Sequence, residues 1–299
     1  VAENLAGYYA ARRYLREQAV SLVVGLGGYV SAPAARAARS QGVPYILLEQ
    51  NVVPGRVTRW AARGASRICV AWSETRACLP KGAVDVTGNP IDARIARGPR
   101  STFSPGAAPR LLVLGGSGGS KSLNEQAPRA IYKAGATLSG WEIVHQAGPN
   151  NVESTARLYA KLGVTARVRT FLDEMADELA NVEIAISRAG GSAVAEFAAC
   201  GTPAILVPFP RAANDHQLHN AELFATRDAC RLVVERHQGP RLDDSLAAEI
   251  VALASNRALR RRIGAAARRL ARPDAASDVA GIVLSMTGGS RSAEIARAA

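Results

Sequence analysis

Short β-branched and leucine-rich runs alternate with Ala/Arg-rich helical patterns along most of this chain, and that alternation limits the fold more than any other feature. Strands read as continuous apolar runs, separated by helix-length segments, predict βα units and parallel sheets buried on both faces. The pattern predicts a helix over 3–18, a strand over Ser21–Gly25, and a glycine-rich turn leading to a helix over 32–41. It continues with a strand over Pro44–Leu48, a helix over Arg56–Gly64, and strands over Arg67–Ala71 and Val84–Thr87, the last closing on Gly88, Asn89 and Pro90. Residues 96–109 are rich in Gly, Pro, Ser and Arg and read as an interdomain linker. A second series follows, with strands over Arg110–Leu114, Glu142–His145, Val168–Phe171, Ile184–Ser187, Ala204–Val207 and Cys230–Val233. A helix over Leu246–Leu270 and a last one over Pro273–Leu284, which could cross back to the first domain, complete the pattern. The expected division is 1–95, a linker at 96–109, 110–270, and a C-terminal helix and tail at 271–299. No internal sequence repeat is present.

A length of 299 residues with 48% hydrophobic side chains excludes a disordered chain and allows two domains with sizeable cores. No run approaches the ~18 apolar residues needed to span a bilayer, so a membrane role would be peripheral. Cys69, Cys78, Cys200 and Cys230 lie far apart with no C-x-x-C pair, which suggests neither a disulfide framework nor a zinc site and fits a reduced, cytosolic compartment. The formal charge of +12 invites a nucleic-acid reading, but only four of the 37 basic residues are lysine and the arginines are scattered. Aromatic residues, 5% of the chain, do not interleave with them as a base-stacking surface requires, so no nucleic-acid partner is expected. An anionic membrane face or a phosphate-bearing substrate would use the same charge.

Three glycine-rich turns follow strands, where bare backbone N–H groups can cradle phosphate. They are Gly25–Ser31, Gly115–Ser120, and Arg188–Ser192 with Glu196 one turn further on. A single such turn is weak evidence, since many are only tight connections. The third has more content, because a carboxylate on the same short helix could accept hydrogen bonds from a pair of ribose hydroxyls. Beyond it, Pro208, Phe209 and Pro210 lead into the polar stretch Asn214–Asn220, at a strand's C-terminal end where open α/β sheets hold ligands.

In this order, GLGGYVSAP (25–33), EQN (49–51), TGNP (87–90), GGSGGS (115–120), HQAG (145–148), FLDEM (171–175), SRAGGSAVAE (187–196) and VPFP with DHQ and NA (207–221) resemble the MurG-type glycosyltransferases. The resemblance runs from about residue 20 to 229 in register. It implies the α/β GT-B architecture of two Rossmann-like lobes with parallel sheets, the first lobe incomplete here, and the sugar donor in the C-terminal lobe. It implies transfer of N-acetylglucosamine (GlcNAc) from UDP-GlcNAc to undecaprenyl-diphospho-N-acetylmuramoyl-pentapeptide (lipid I), giving lipid II for peptidoglycan. Ser117 matches a serine that touches the donor diphosphate, and Leu172 a position whose backbone holds the uracil. Gly191, Ser192, Ala193, Val194, Ala195 and Glu196 match the donor-binding helix start, with Glu196 on the ribose, and Gln217 a glutamine that reads sugar hydroxyls. His216 flanks that glutamine. Asn51 matches a donor-contacting asparagine of the first lobe, and Gly27, Gly28 and Tyr29 are similar to a turn facing the acceptor diphosphate. Two departures stand out: the family arginine after GNP is replaced by Asp92, with Arg94 two places on, and the family's GGTGGH loop, whose histidine is the favoured base, would lie before Val1.

A chain opening at Val1 in mid-pattern, with no signal or transit peptide, is expected to lack an N-terminal portion and to bind donor better than it turns it over. Of the four histidines, His145 reads as structural, and neither His216, His219 nor His237 suits the role of base. Attack by the muramoyl 4-hydroxyl on the anomeric carbon needs a base and positive character at the leaving diphosphate. No D-x-D motif occurs, so the helix starts at Ser117 and Ser192 are expected to meet that charge without a metal or cofactor. Arg56, Arg59, Arg63 and Arg67, with Val57 and Trp60 beside them, recur near the helical period and could rest on anionic lipid; a solvated helix face reads the same way. Two rivals remain open at this level: a UDP-GlcNAc 2-epimerase of the same two-lobed fold, and a catalytically silent UDP-sugar-binding module.

Overall fold

The computed structural model describes residues 2–80, 82–98, 108–235 and 240–288. The chain divides into two compact units, one of 1–90 with 272–299 and one of 91–271. His237, most of the expected linker and the end of the C-terminal tail lie outside the described residues.

The first unit opens with α1 (Ala2–Glu17), followed by β1 (Val23–Gly25), α2 (Ser31–Ser40), β2 (Tyr45–Glu49), α3 (Arg56–Ala61, continued by a single 3₁₀ turn to Gly64), β3 (Arg67–Val70) and β4 (Val84–Val86). The strands pair in parallel in the order β1-β2-β3-β4. All five residues of β2 are buried, as a central parallel strand covered on both faces requires. One face packs Leu47, Ile68 and Val70 against Leu15 of α1 and Ala35, Ala37 and Ala38 of α2. Arg67 was grouped by spacing with the arginines of α3, but it stands on β3, where its guanidinium grips both oxygens of Asp85 on β4 at 2.8 Å. Cross-strand pairing has taken it out of the helical register.

The second unit begins with a short helix that hydrophobic pattern did not announce, α4 (Ala93–Ala96), N-capped by Asp92, whose carboxylate accepts the Arg94 N–H. There follow β5 (Arg110–Leu114), α5 (Lys121–Ala134), β6 (Glu142–Gln146), α6 (Val152–Lys161), β7 (Arg167–Arg169), α7 (Met175–Ala180), β8 (Val182–Ser187), α8 (Gly191–Cys200), β9 (Ala204–Leu206), α9 (His216–Ala225) and β10 (Arg231–Leu232). The sheet is parallel, in the order β10-β9-β8-β5-β6-β7. The connections run outward in opposite directions from the β5–β8 pair, so a crevice opens at the carboxyl ends of those two strands.

The single helix expected over 246–270 is two, α10 (Leu242–Ala254) and α11 (Arg257–Arg268). Asn256 breaks it: its side chain accepts the Leu259 N–H at 2.9 Å and caps α11, a local bond that competes with helix continuation. The last helix, α12 (Ala275–Met286), belongs to the first unit, where Val279, Ile282, Val283 and Met286 cover Ile46, Leu48 and Cys69 on the sheet face opposite α1 and α2. Among the described residues, no helix is long and apolar enough to cross a membrane.

Candidate functional site

A cavity of about 950 Å³ occupies the crevice above β5 and β8. Its walls come from four connections. The turn after β5 contributes Gly115, Gly116, Ser117 and Gly119; the loop after β7 contributes Phe171, Leu172 and Asp173. The start of α8 contributes Gly190, Gly191, Ser192, Ala193 and, one turn on, Glu196. The segment after β9 contributes Phe209, Pro210 and Arg211, with Gln217 behind them.

Of the residues singled out from sequence, Ser117, Leu172, Gly191, Ser192, Ala193, Glu196 and Gln217 all reach this cavity. Val194 does not: its side chain is fully buried and its N–H is already donated to the Gly190 carbonyl at 3.1 Å. Ala195, one residue deeper in α8, is also absent from the lining. The donors that α8 leaves open are therefore those of its first turn, Gly191 to Ala193, because a helix has no internal acceptors for its leading N–H groups.

Two lining groups are already half engaged. The Leu172 N–H donates to Gln146 Oε1 at 3.0 Å, so its carbonyl is the backbone group that remains. Gln217 Oε1 accepts the Phe209 N–H at 3.0 Å, which leaves its amide nitrogen to donate. Glu196, by contrast, makes no hydrogen bond among the described residues. Burial, reinforced by the neighbouring Asp92 carboxylate, pushes its pKa up from 4.5 to about 7. A half-buried carboxylate with unfilled acceptor capacity is suited to a pair of hydroxyl donors.

Arg188 was read only as the opening of a glycine turn, yet it holds the cavity's far side together. Its buried guanidinium donates to the carbonyls of Val207 and Pro208, both at 3.1 Å, to Ser120 Oγ at 3.1 Å, and to Glu235 at 3.2 Å. Ser120 in turn N-caps α5. An arginine directly after a largely apolar, buried strand was the available signal, since a cation at that depth needs several acceptors.

Arg94 lies outside the cavity lining; it is exposed and bridges Asp92 to Glu174. His216 opens α9 and does not line the cavity. His145 is fully buried between Tyr159 Oη and Asn124 Oδ1, each at 3.0 Å, and burial drives its pKa down to about 3, so it is a structural neutral imidazole.

The remaining residues belong to the first unit. Glu49, 4% exposed, accepts the backbone and side-chain N–H groups of Asn51 through one oxygen and the Gly55 N–H through the other, shaping the loop before α3. Sequence reasoning marked Asn51 and missed Glu49, the buried acid that positions it. Gly27 and Gly28 adopt φ of +75° and +74°. They lift Leu26, Tyr29 and Val30 into solvent, Val30 being 86% exposed, and Gly27 lies against Thr58 of α3.

The C-terminal domain model of glycosyltransferase family 28 matches residues 110–278, and its N-terminal domain model matches residues 1–70. The chain is 39% identical, over 94% of its length and 77% of the relative's, to the UDP-N-acetylglucosamine–N-acetylmuramyl-(pentapeptide) pyrophosphoryl-undecaprenol N-acetylglucosamine transferase of Stutzerimonas stutzeri. Among solved structures it resembles Acinetobacter baumannii MurG, with a TM-score of 0.75 and 32% identity over 95% of this chain and 80% of that one. The UDP-GlcNAc 2-epimerase from Neisseria meningitidis superposes with a TM-score of 0.69 at 11% identity, covering 94% of this chain and 81% of its own, a likeness of fold alone. The chain belongs to glycosyltransferase family 28, in its MurG-type branch.

Proposed function

We propose that this protein transfers GlcNAc from UDP-GlcNAc to the muramoyl 4-hydroxyl of lipid I, forming lipid II. The observation that carries the reading is the convergence on one cavity of the Gly115–Ser120 turn, the open first turn of α8 and Glu196, whose carboxylate has no hydrogen-bond partner among the described residues. In this reading the Leu172 carbonyl meets the uracil, and Glu196 accepts from the ribose hydroxyls. The N–H groups of Gly191, Ser192 and Ala193, with the Ser117 turn, face the diphosphate. Gln217 presents its amide nitrogen to the sugar. The acceptor oxygen forms its bond to the anomeric carbon as the bond to UDP breaks; the hydroxyl proton passes to a base, and the anomeric configuration inverts. Backbone donors at a helix start stabilise the diphosphate as it gains negative charge on leaving.

The first unit is the acceptor side, and the protein rests peripherally on the cytoplasmic face of the membrane. Support comes from the exposed Arg56, Arg59, Trp60 and Arg63 of α3 beside the apolar turn at Leu26–Val30. Such a mixed basic and apolar surface suits anionic lipid. Asn51 and the Gly27–Tyr29 turn contact donor and acceptor diphosphate respectively.

Calorimetry with UDP-GlcNAc, followed by a transfer assay with lipid I, tests the proposal. Donor binding is expected, stronger than turnover, and any lipid II formed is expected to depend on the acceptor. No heat with UDP-GlcNAc would overturn it, and UDP-ManNAc formed without acceptor would favour epimerase chemistry instead.

A further inference from the structure

Another cavity, of about 500 Å³, lies at the opposite edge of the same sheet and shares no lining residue with the first. Its lining comes from the start of β8, the turn between α8 and β9, and α11. Four arginines, Arg257, Arg260, Arg261 and Arg268, face a single carboxylate there, Glu183. Two of the four are engaged by the protein itself. Arg260 donates to Glu183 at 2.8 Å and to the carbonyls of Leu253 and Ala254, and Arg268 donates to the Cys200 carbonyl. Arg257 and Arg261 have no ion pair or hydrogen bond among the described residues. Thr202 also lines the cavity at 3% exposure. Its hydroxyl has no partner among the described residues and is not sealed from solvent, so it opens into the cavity.

This placement works against the helix that carries it. Arg257 and Arg261 stand at i and i+4 in the first turns of α11, which has no acidic residue in its first turn. Like charges at that spacing repel, and cations oppose the helix dipole at its amino end. An anion in the cavity would remove both penalties. We propose that this cavity binds a phosphate ester, with the phosphate held by Arg257 and Arg261 and the organic part lying against Thr202, Leu179 and Val182. Guanidinium groups present paired N–H donors that match two phosphate oxygens. An ester fits better than bare phosphate, which would leave most of the 500 Å³ unfilled. A soluble metabolite and the headgroup of an anionic lipid present the same group to the arginines.

Glycerol 3-phosphate is titrated into the full chain by calorimetry, with and without excess UDP, and phosphatidylglycerol vesicles are co-sedimented with it. Binding that UDP does not displace is expected. Arg257→Gln combined with Arg261→Gln should weaken it about tenfold or more, and Thr202→Val about fivefold. Because the two arginines repel each other, their removal should leave the melting temperature unchanged or raised. Arg262→Gln with Arg269→Gln removes the same charge from exposed positions outside the lining and should leave binding intact. Loss of the soluble ester alone identifies a small metabolite as the ligand, and loss of vesicle binding identifies a lipid headgroup. Loss of neither overturns the proposal, as do equal losses in the control pair. Binding that UDP displaces and the Arg257 and Arg261 substitutions leave alone belongs to the first cavity and overturns it as well.

Discussion

The turn after β1 and the turn after β5 look alike as sequence, GLGGYVS and GGSGGS, and differ in almost everything physical. In the second unit, a Cβ on Gly115 would come within 2.6 Å of the Ser120 nitrogen, and one on Gly119 would collide with the Ala147 carbonyl. Backbone packs on backbone there, and glycine is required because nothing larger fits. In the first unit a Cβ on Gly28 meets nothing within 4 Å, and the same turn exposes Leu26, Tyr29 and Val30. Glycine there only permits a left-handed bend. One turn is a closed cradle suited to a small anion, and the other an open, apolar projection suited to a surface.

That contrast can be broken most sharply at its tightest point. Gly119→Ala combines a backbone collision with φ of +75° and is expected to destabilise the protein by more than about 3 kcal/mol in urea unfolding and to abolish UDP binding. An unperturbed Gly119→Ala would mean the cradle is not close-packed. Next in size, replacing Arg56, Arg59 and Arg63 together by glutamine should weaken binding to phosphatidylglycerol vesicles by about 1 kcal/mol per arginine, measured by co-sedimentation. Arg67→Gln should cost less, since Arg67 is already paired with Asp85; equal losses would return it to the lipid-facing set.

Glu196→Ala should weaken UDP binding by about 1.5–3 kcal/mol, the range for hydrogen bonds to charged groups, and unchanged affinity would remove Glu196 from the site. In the unaltered chain UDP affinity should rise with pH through about 7 as Glu196 ionises, and Asp92→Asn should move that rise to lower pH. The folding effect has the opposite sign. A native pKa of about 7 against an ordinary value of 4.5 means the folded state holds the proton longer, so this group's stabilisation is complete below 4.5 and fades as pH rises to about 7. Thermal melts of Glu196→Gln across that window should lack the decline. The smallest effect is Gly28→Ala, expected to cost about 1 kcal/mol from φ alone, with UDP affinity unchanged.

The strands and the three glycine turns were legible because apolar runs and glycine clusters are local signals. The return of α12 to the first unit was open to the sequence only as a possibility, since an apolar helix after the second series does not say which sheet it covers. Three features were not legible at all. Asn256 splits a helix through a single side-chain bond that barely disturbs the periodicity. Arg188, Gln146 and Glu49 look like ordinary polar residues until their partners, many positions away in sequence, are brought to them by the sheet. Val194 shares the glycine turn's motif but points into the core, because the helix turns each successive side chain by a fixed angle whatever motif it belongs to.

The placement of α12 has a consequence for how the polypeptide matures. The second unit is contiguous, 91–271, and can close as soon as it leaves the ribosome; the first is split, and Ile46, Leu48 and Cys69 await a cover that is synthesised only after the second unit. During translation one face of that earlier sheet stays bare until the whole second unit has been made, and a break in the chain ahead of α12 would uncover a sheet that lies far upstream in sequence.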